Sequence, residues 1–148
     1  MKTARVAYGG ALHDATPHAD GVRLADGRVV SEAEVVWLPP FEIGTIIALG
    51  LNYADHVKEL SKELTVTSKD EPLVFLKGPG AVIGHRGFTR RPNDATFMHY
   101  ECELAVVIGA TAKNVKRADA MKHVAGYTVC NDYAIRDYLE NWYRPNLR

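Results

Sequence analysis

The 148-residue sequence is poor in cysteine, carries no net charge and has no long hydrophobic run. Two cysteines, Cys102 and Cys130, are too few for the disulfide framework of a small secreted domain, so we interpret them as reduced residues of a cytoplasmic protein. Eighteen Lys and Arg residues balance eighteen Asp and Glu residues. This balance leaves no bulk field to attract nucleic acid or an anionic membrane. The most apolar run, residues 104–108, is far too short to span a bilayer.

The order of short apolar runs predicts an α+β protein in two parts. Residues 1–43 are expected to form a small N-terminal β unit, because strand patterns at 5–8 and 22–24 are followed by Asp26-Gly27, a tight hairpin signal. Residues 44–148 are expected to form the main domain. Its predicted strands lie at 46–49, 73–76, 100–108 and 127–130, and its predicted helices lie at 52–64, 117–125 and after Asp132, the last with Ile135 on its core face.

Two glutamates stand at the start of the longest strand pattern. Residues two apart on a strand point to the same face, so Glu101 and Glu103 place their carboxylates side by side, while Cys102 is expected to point into apolar packing. Neighbouring anions at the mouth of a buried strand repel each other and lose hydration, and a divalent cation removes that conflict. A solvated strand end is the alternative explanation of the same spacing.

Asp132 extends this pair to a possible metal site. It follows a predicted strand and precedes a predicted helix, a junction where functional groups gather in mixed folds. With the two glutamates it gives an all-oxygen set, which magnesium, calcium or manganese prefers and zinc does not. Three protein ligands would leave coordination positions for a substrate. Taken alone, Asp132 has a second explanation, an acid favoured by the N-terminus of the following helix.

His56 and Glu59 form a second candidate group. They lie three residues apart on the first predicted helix, so they can face each other on one side of it. A histidine that is hydrogen-bonded to a carboxylate has a fixed tautomer and raised basicity, which suits a general base. The alternative is an exposed ion pair with no role in catalysis.

Three further residues carry charge near these groups. Lys77 closes a predicted strand and could reach an anionic substrate, or it could be an ordinary edge lysine. Arg136 could do the same from the last predicted helix, with a salt bridge to Asp137 or Glu140 as its alternative. His99 lies close enough to the glutamates in sequence to tune them.

Four segments, in this order and spacing, resemble the fumarylacetoacetate hydrolase family. They are GLNYADHVKE at 50–59, EPLVFLK at 71–77, YECELAVVIG at 100–109, and GYTVCND at 126–132 with IRD at 135–137. Each could arise by chance, whereas four in series are specific. The resemblance covers residues 44–148 and does not depend on the N-terminal unit.

The resemblance implies a fold and a set of roles. The fold is a β-rich roll with short flanking helices, usually paired into a homodimer. The family's metal ligands correspond to Glu101, Glu103 and Asp132, which would hold magnesium or calcium. Its catalytic dyad corresponds to His56 and Glu59, and its pocket lysine corresponds to Lys77.

Further segments resemble one branch of that family, the homoprotocatechuate branch. They are RPN at 91–93, MHY at 98–100 and the tail from residue 131 to residue 148. This resemblance implies a metal-dependent isomerase/decarboxylase of 4-hydroxyphenylacetate breakdown. Its substrates would be small dicarboxylic acids, 5-carboxymethyl-2-oxo-hex-3-ene-1,7-dioate and 2-hydroxyhepta-2,4-diene-1,7-dioate.

Members of the family continue past the point that corresponds to Arg148. We therefore expect residues 44–148 to be the N-terminal half of the catalytic domain, and we expect the 148 residues alone not to be a self-sufficient enzyme. Two alternatives remain open from the sequence. One is a hydrolase of the same family that cleaves carbon–carbon bonds of acylpyruvates, and the other is a non-catalytic metal-binding fragment.

Overall fold

The structure is a computed structural model that describes residues 1–50, 52–60 and 73–137. The chain divides into two compact units, Met1–Phe88 and Thr89–Arg148. Within the first unit, the N-terminal five-stranded sheet ends at Leu38. The domain boundary that the sequence suggests at residues 43 and 44 stays a prediction.

The N-terminal sheet holds most of the buried apolar side chains. Its strands are β1 (Ala4–Tyr8), β2 (Ala11–His18), β3 (Gly21–Leu24), β4 (Val29–Val30) and β5 (Val36–Leu38), in the order β4-β3-β2-β1-β5. All of its neighbouring strands are antiparallel. One face packs a cluster around Val6, Val22 and Leu24, which are at most 2% exposed. Burying one such side chain stabilises the fold by about 1.5–3 kcal/mol.

The hairpin predicted at Asp26-Gly27 is confirmed between β3 and β4. Gly27 takes a φ of 91°, a backbone conformation that favours glycine. The Asp26 carboxylate accepts hydrogen bonds from the backbone N of Arg28 at 3.0 Å and from its guanidinium Nη2 at 2.6 Å. These bonds, the side-chain bond first, lower the pKa of Asp26 to about 2. The turn is therefore held by a local carboxylate as well as by glycine.

Outside this sheet, the described part of the first unit contains one further strand pair, one α-helix and two short 3-10 helices, Glu32–Glu34 and Pro79–Ala81. β6 (Ile46–Gly50) and β7 (Leu73–Lys77) are antiparallel, with Ile46 opposite Lys77, and α1 spans Ala54–Leu60. The predicted continuation of this helix to residue 64 lies outside the described residues. The segment after β7 contacts the N-terminal sheet, because the rings of Trp37 and His85 meet edge-on at 5.2 Å. Arg86 also pairs with Glu32, in the connection between β4 and β5, at 2.7 Å between Nη1 and Oε2.

The second unit is built on a long antiparallel hairpin. Its strands are β8 (Met98–His99), β9 (Cys102–Ile108), β10 (Val124–Asn131) and β11 (Ala134–Ile135), paired as β9 with β10 and β8 with β11. A 3-10 helix, Arg117–His123, connects β9 to β10.

One face of the β9–β10 hairpin carries exposed apolar side chains. Leu104 and Ile108 are 59% and 60% exposed, and Val129 on the paired strand is 71% exposed. In the part of the chain that the structure describes, the hairpin is a two-stranded sheet and this face of it is uncovered.

Three local expectations are corrected. Ile135 lies on strand β11 opposite Met98, not on the core face of a helix that begins after Asp132. The helix predicted at 117–125 is a 3-10 helix that ends at His123, because Val124 already pairs with Ile108. Cys102 is exposed, so it does not pack into an apolar interior.

Among the described residues, no helix is long and apolar enough to cross a membrane.

Candidate active site

Strands β9 and β10 bring the three predicted metal ligands onto neighbouring backbone positions. Glu103 lies opposite Cys130 and Cys102 lies opposite Asn131. One step further, the backbone N of Asp132 donates to the carbonyl of Glu101 at 2.8 Å, so these two residues also lie opposite each other. Opposite residues of an antiparallel pair share a face, as do residues two apart on one strand. Glu101, Glu103 and Asp132 therefore occupy one face, and all three are partly buried.

Glu101 is held both through its backbone and through its side chain. Its backbone N donates to the Asn131 side-chain Oδ1 at 3.0 Å. Its carboxylate Oε1 accepts from Nη2 of Arg136 at 2.7 Å, and both side chains are about one-third exposed or less, at 33% and 26%. A partly buried, charge-assisted bond of this kind fixes the orientation of the carboxylate more firmly than a solvated pair.

The same guanidinium also contacts a histidine. Nε of Arg136 donates to Nδ1 of His99 at 3.1 Å, so Nδ1 is an acceptor and the ring proton of neutral His99 lies on Nε2. The His99 ring also meets the Phe97 ring edge-on, with 4.5 Å between centroids. Glu101, Arg136 and His99 thus form one connected polar group, which we call the Arg136 cluster.

The short pair of strands β8 and β11 positions this cluster. Ala134 lies opposite His99, and the backbone N of Arg136 donates to the carbonyl of Phe97 at 2.8 Å. The Asp137 carboxylate accepts from the backbone N of Phe97 at 2.8 Å and of Thr96 at 3.0 Å, and also from the Thr96 hydroxyl. The hydroxyl of Thr96, followed by these amides, lowers the pKa of Asp137.

The donor set at this face fits a hard divalent cation. All three candidate ligands offer carboxylate oxygens, and their partial burial makes a cation a favourable counter-charge. In the part of the chain that the structure describes, no three His, Cys, Asp or Glu side chains are already gathered as a metal-binding group. The backbone thus places Glu101, Glu103 and Asp132 together, and their role as metal ligands stays a prediction.

The other predicted catalytic residues belong to the first unit. Lys77 ends β7, as the sequence suggests, and its Nζ lies 5.9 Å from the centroid of the Phe75 ring. His56 and Glu59 lie on α1, which is consistent with their predicted helical spacing. Their side chains lie outside the part of the chain that the structure describes, so the dyad stays a prediction.

The sequence did not reveal the actual partners of Arg136. The sequence suggests a salt bridge from Arg136 to Asp137 or Glu140. In the structure, the Arg136 guanidinium instead bonds Glu101, and the Asp137 carboxylate accepts from Thr96 and Phe97. Glu140 lies outside the described residues. The sequence contains one signal of the contact between His99 and the site. His99 precedes Glu101 by two residues, as Glu101 precedes Glu103, and residues two apart on extended chain share a face.

Comparison with known proteins shows which sequences and structures this chain resembles. The sequence profile described as Fumarylacetoacetate (FAA) hydrolase C-terminal matches residues 45–147. Over 135 residues the chain is 55% identical to the homoprotocatechuate catabolism bifunctional isomerase/decarboxylase of Escherichia coli, covering 88% of this chain and 31% of that protein. The chain therefore spans about a third of the length of this curated relative.

Solved structures give the same fold. The 5-carboxymethyl-2-hydroxymuconate delta-isomerase from Mycobacterium smegmatis superposes with a TM-score of 0.78 at 32% identity, covering 97% of this chain and 59% of that chain. The 2-hydroxyhepta-2,4-diene-1,7-dioate isomerase from Mycobacterium marinum superposes with a TM-score of 0.71 at 26% identity, covering 95% and 57%. The fold that the four sequence segments predict is confirmed.

Proposed function

Because the chain belongs to the fumarylacetoacetate hydrolase family, we propose that it forms part of a metal-dependent isomerase/decarboxylase of 4-hydroxyphenylacetate catabolism. Its proposed substrates are 5-carboxymethyl-2-oxo-hex-3-ene-1,7-dioate, which is decarboxylated, and 2-hydroxyhepta-2,4-diene-1,7-dioate, which is isomerised. The observation that carries the proposal is the 55% identity to the E. coli bifunctional isomerase/decarboxylase, which extends over 88% of this chain.

We assign Glu101, Glu103 and Asp132 as the ligands of a magnesium ion, with calcium or manganese as substitutes. Their shared face and their oxygen donors support this assignment. When bound, the cation would supply Lewis-acid polarisation of the 2-oxo group and the adjoining carboxylate. The bond from Arg136 holds one oxygen of Glu101, so the other oxygen of that carboxylate remains for a ligand role.

His56 is proposed to move the proton in the tautomerisation, with Glu59 orienting its ring. A positioned general base contributes roughly 10²–10⁴-fold to a rate. Lys77 is proposed to border the substrate pocket and to attract one of the substrate carboxylates, because an ammonium group stabilises a nearby anion. We further propose that the enzyme is cytoplasmic and works as a homodimer.

The proposal is tested by assaying the purified 148-residue chain, beside an extended form that continues it with the corresponding downstream sequence of the E. coli relative, with magnesium on both diacids and on an acylpyruvate. Turnover of the diacids supports an isomerase/decarboxylase, and turnover of the acylpyruvate alone would identify the hydrolase alternative. Magnesium affinity, measured by calorimetry, is a second readout. We expect Glu103→Gln to weaken it by about tenfold or more, while Glu42→Gln, on an exposed residue outside the site, leaves it unchanged.

The dyad is tested in the same assays. We expect His56→Ala to lower turnover by roughly 10²-fold or more and to leave magnesium affinity nearly intact. Lys58→Ala, on the same helix, is the control because Lys58 pairs with Asp55 on the exposed side. Unchanged turnover of the His56 variant, or absence of magnesium binding by the parent chain, would contradict the assigned roles.

A further inference from the structure

A basic cleft lies in the second unit, on the connection between β9 and β10. Its volume is about 480 Å³, and its lining includes Lys113, Lys116, Lys122, Asp119 and His123. None of these residues belongs to the Arg136 cluster or to the predicted metal ligands. A volume of a few hundred cubic ångströms is in the range of small-molecule sites.

The charge of this cleft differs from that of the chain. The whole sequence has no net charge, whereas the cleft brings three ammonium groups together with one carboxylate. Asp119 is already paired with Lys122, at 2.7 Å between Oδ1 and Nζ. Among the described residues, Lys113 and Lys116 have no carboxylate partner. Like charges gathered around one concave surface raise the local concentration of an anion.

His123 lies at the edge of the same cleft. Its side-chain Nδ1 is buried and has no hydrogen-bond partner among the described residues, so this atom itself does not face the cleft. The attraction of an anion there therefore rests on the lysine ammonium groups.

We propose that this cleft binds the phosphate group of a small phosphorylated molecule. A phosphate dianion offers three or more acceptor oxygens, so it can meet several ammonium groups at once, and lysine binds it as a point charge. A single carboxylate would neutralise only one of the two unpaired lysines. The cleft is larger than inorganic phosphate needs, which leaves room for the group that carries the phosphate.

The test is a titration of the metal-free 148-residue chain, in EDTA, followed by amide NMR. The probes are inorganic phosphate, adenosine monophosphate and malonate. We expect saturable shifts confined to residues 111–123 with both phosphate probes, and tighter binding of the monophosphate ester. Chelation of metal separates this cleft from any anion that binds through a cation at the carboxylates.

The variant Lys113→Gln/Lys116→Gln should weaken binding of the phosphate probes by about tenfold or more. The control variant, Lys2→Gln/Arg23→Gln, removes two exposed charges from the first unit and should leave the affinity unchanged. Linear shifts without saturation, equal losses in both variants, or malonate binding as tight as phosphate would overturn the proposal.

Discussion

At the scale of single residues, Arg136 is the side chain that organises the candidate site. It contacts a predicted metal ligand through one nitrogen and the imidazole of His99 through another. Groups that hydrogen-bond a ligating carboxylate orient it and affect metal affinity, although they do not touch the metal. Its two contacts therefore give Arg136 the role of orienting Glu101 in the candidate site.

Arg136→Met should destabilise the chain more than Arg86→Met, although both arginines form an Arg–Glu pair at 2.7 Å. The side chains of the Arg136–Glu101 pair are 26% and 33% exposed, whereas those of the Arg86–Glu32 pair are 60% and 41% exposed. Because solvent screens an exposed ion pair, such a pair contributes about a few tenths of a kcal/mol to the free energy of unfolding. We expect a loss of about 1 kcal/mol or more when the less exposed Arg136 pair is removed. Urea unfolding of both variants measures the difference. Equal losses would mean that burial does not strengthen the Arg136 pair.

At the scale of secondary-structure elements, the β8–β11 pair depends on contacts that are distant in sequence. Each strand has only two residues, so neither has the alternating pattern from which a strand is predicted. The pair is held at one end by Asp137, which bonds Thr96 and Phe97 about forty residues earlier in the chain. This is why the sequence predicted a helix through Ile135, where the structure has a strand.

Asp137→Asn should loosen this end of the pair. An amide has only one oxygen to accept with, and its NH₂ group faces donors, so the bonds to the Thr96 and Phe97 amides are lost in part. We expect faster hydrogen exchange at these two amides, with Asp20→Asn in the first unit as the control. Unchanged exchange at Thr96 and Phe97 would show that Asp137 does not hold the pair.

The same carboxylate gives a pH dependence of known sign. The folded-state pKa of Asp137 is lowered from its ordinary 3.8, chiefly by the Thr96 hydroxyl. Its contribution to stability is therefore complete above the unfolded value and is lost as the pH falls through the lowered folded value. As the pH falls through this range, hydrogen exchange at the Thr96 and Phe97 amides should lose protection in the parent chain. This acid-induced loss of protection should be absent from Asp137→Asn.

At the scale of the whole molecule, buried apolar side chains are unevenly distributed. Six of them form the cluster of the N-terminal sheet, namely Val6, Ala15, Val22, Leu24, Val30 and Val35. In the described part of the second unit, Ala95 is the one apolar residue that is fully buried. The first unit therefore contains the main source of hydrophobic stability among the described residues.

Features that depend on local spacing could be predicted from the sequence, whereas features that depend on long-range packing could not. Period-two spacing placed Glu101 and Glu103 on one face, and the Asp26-Gly27 pair located a hairpin, because both signals are local. The exposure of Cys102 depends on whether another element covers the β9–β10 hairpin, which local spacing does not encode. The expectation that the 148 residues alone are not a self-sufficient enzyme stays a prediction.

Leu24→Ala should cost the chain far more stability than Leu12→Ala, although both leucines lie in the same sheet. Leu24 is 2% exposed within the core cluster, whereas Leu12 is 65% exposed on β2. Truncating a buried leucine removes transfer free energy and leaves a cavity, which costs about 2–5 kcal/mol, while an exposed position changes stability by about 0.5 kcal/mol or less. Urea unfolding followed by the NMR signals of β1 to β5 measures both values. Similar losses in the two variants would mean that the N-terminal cluster is not the core of this unit.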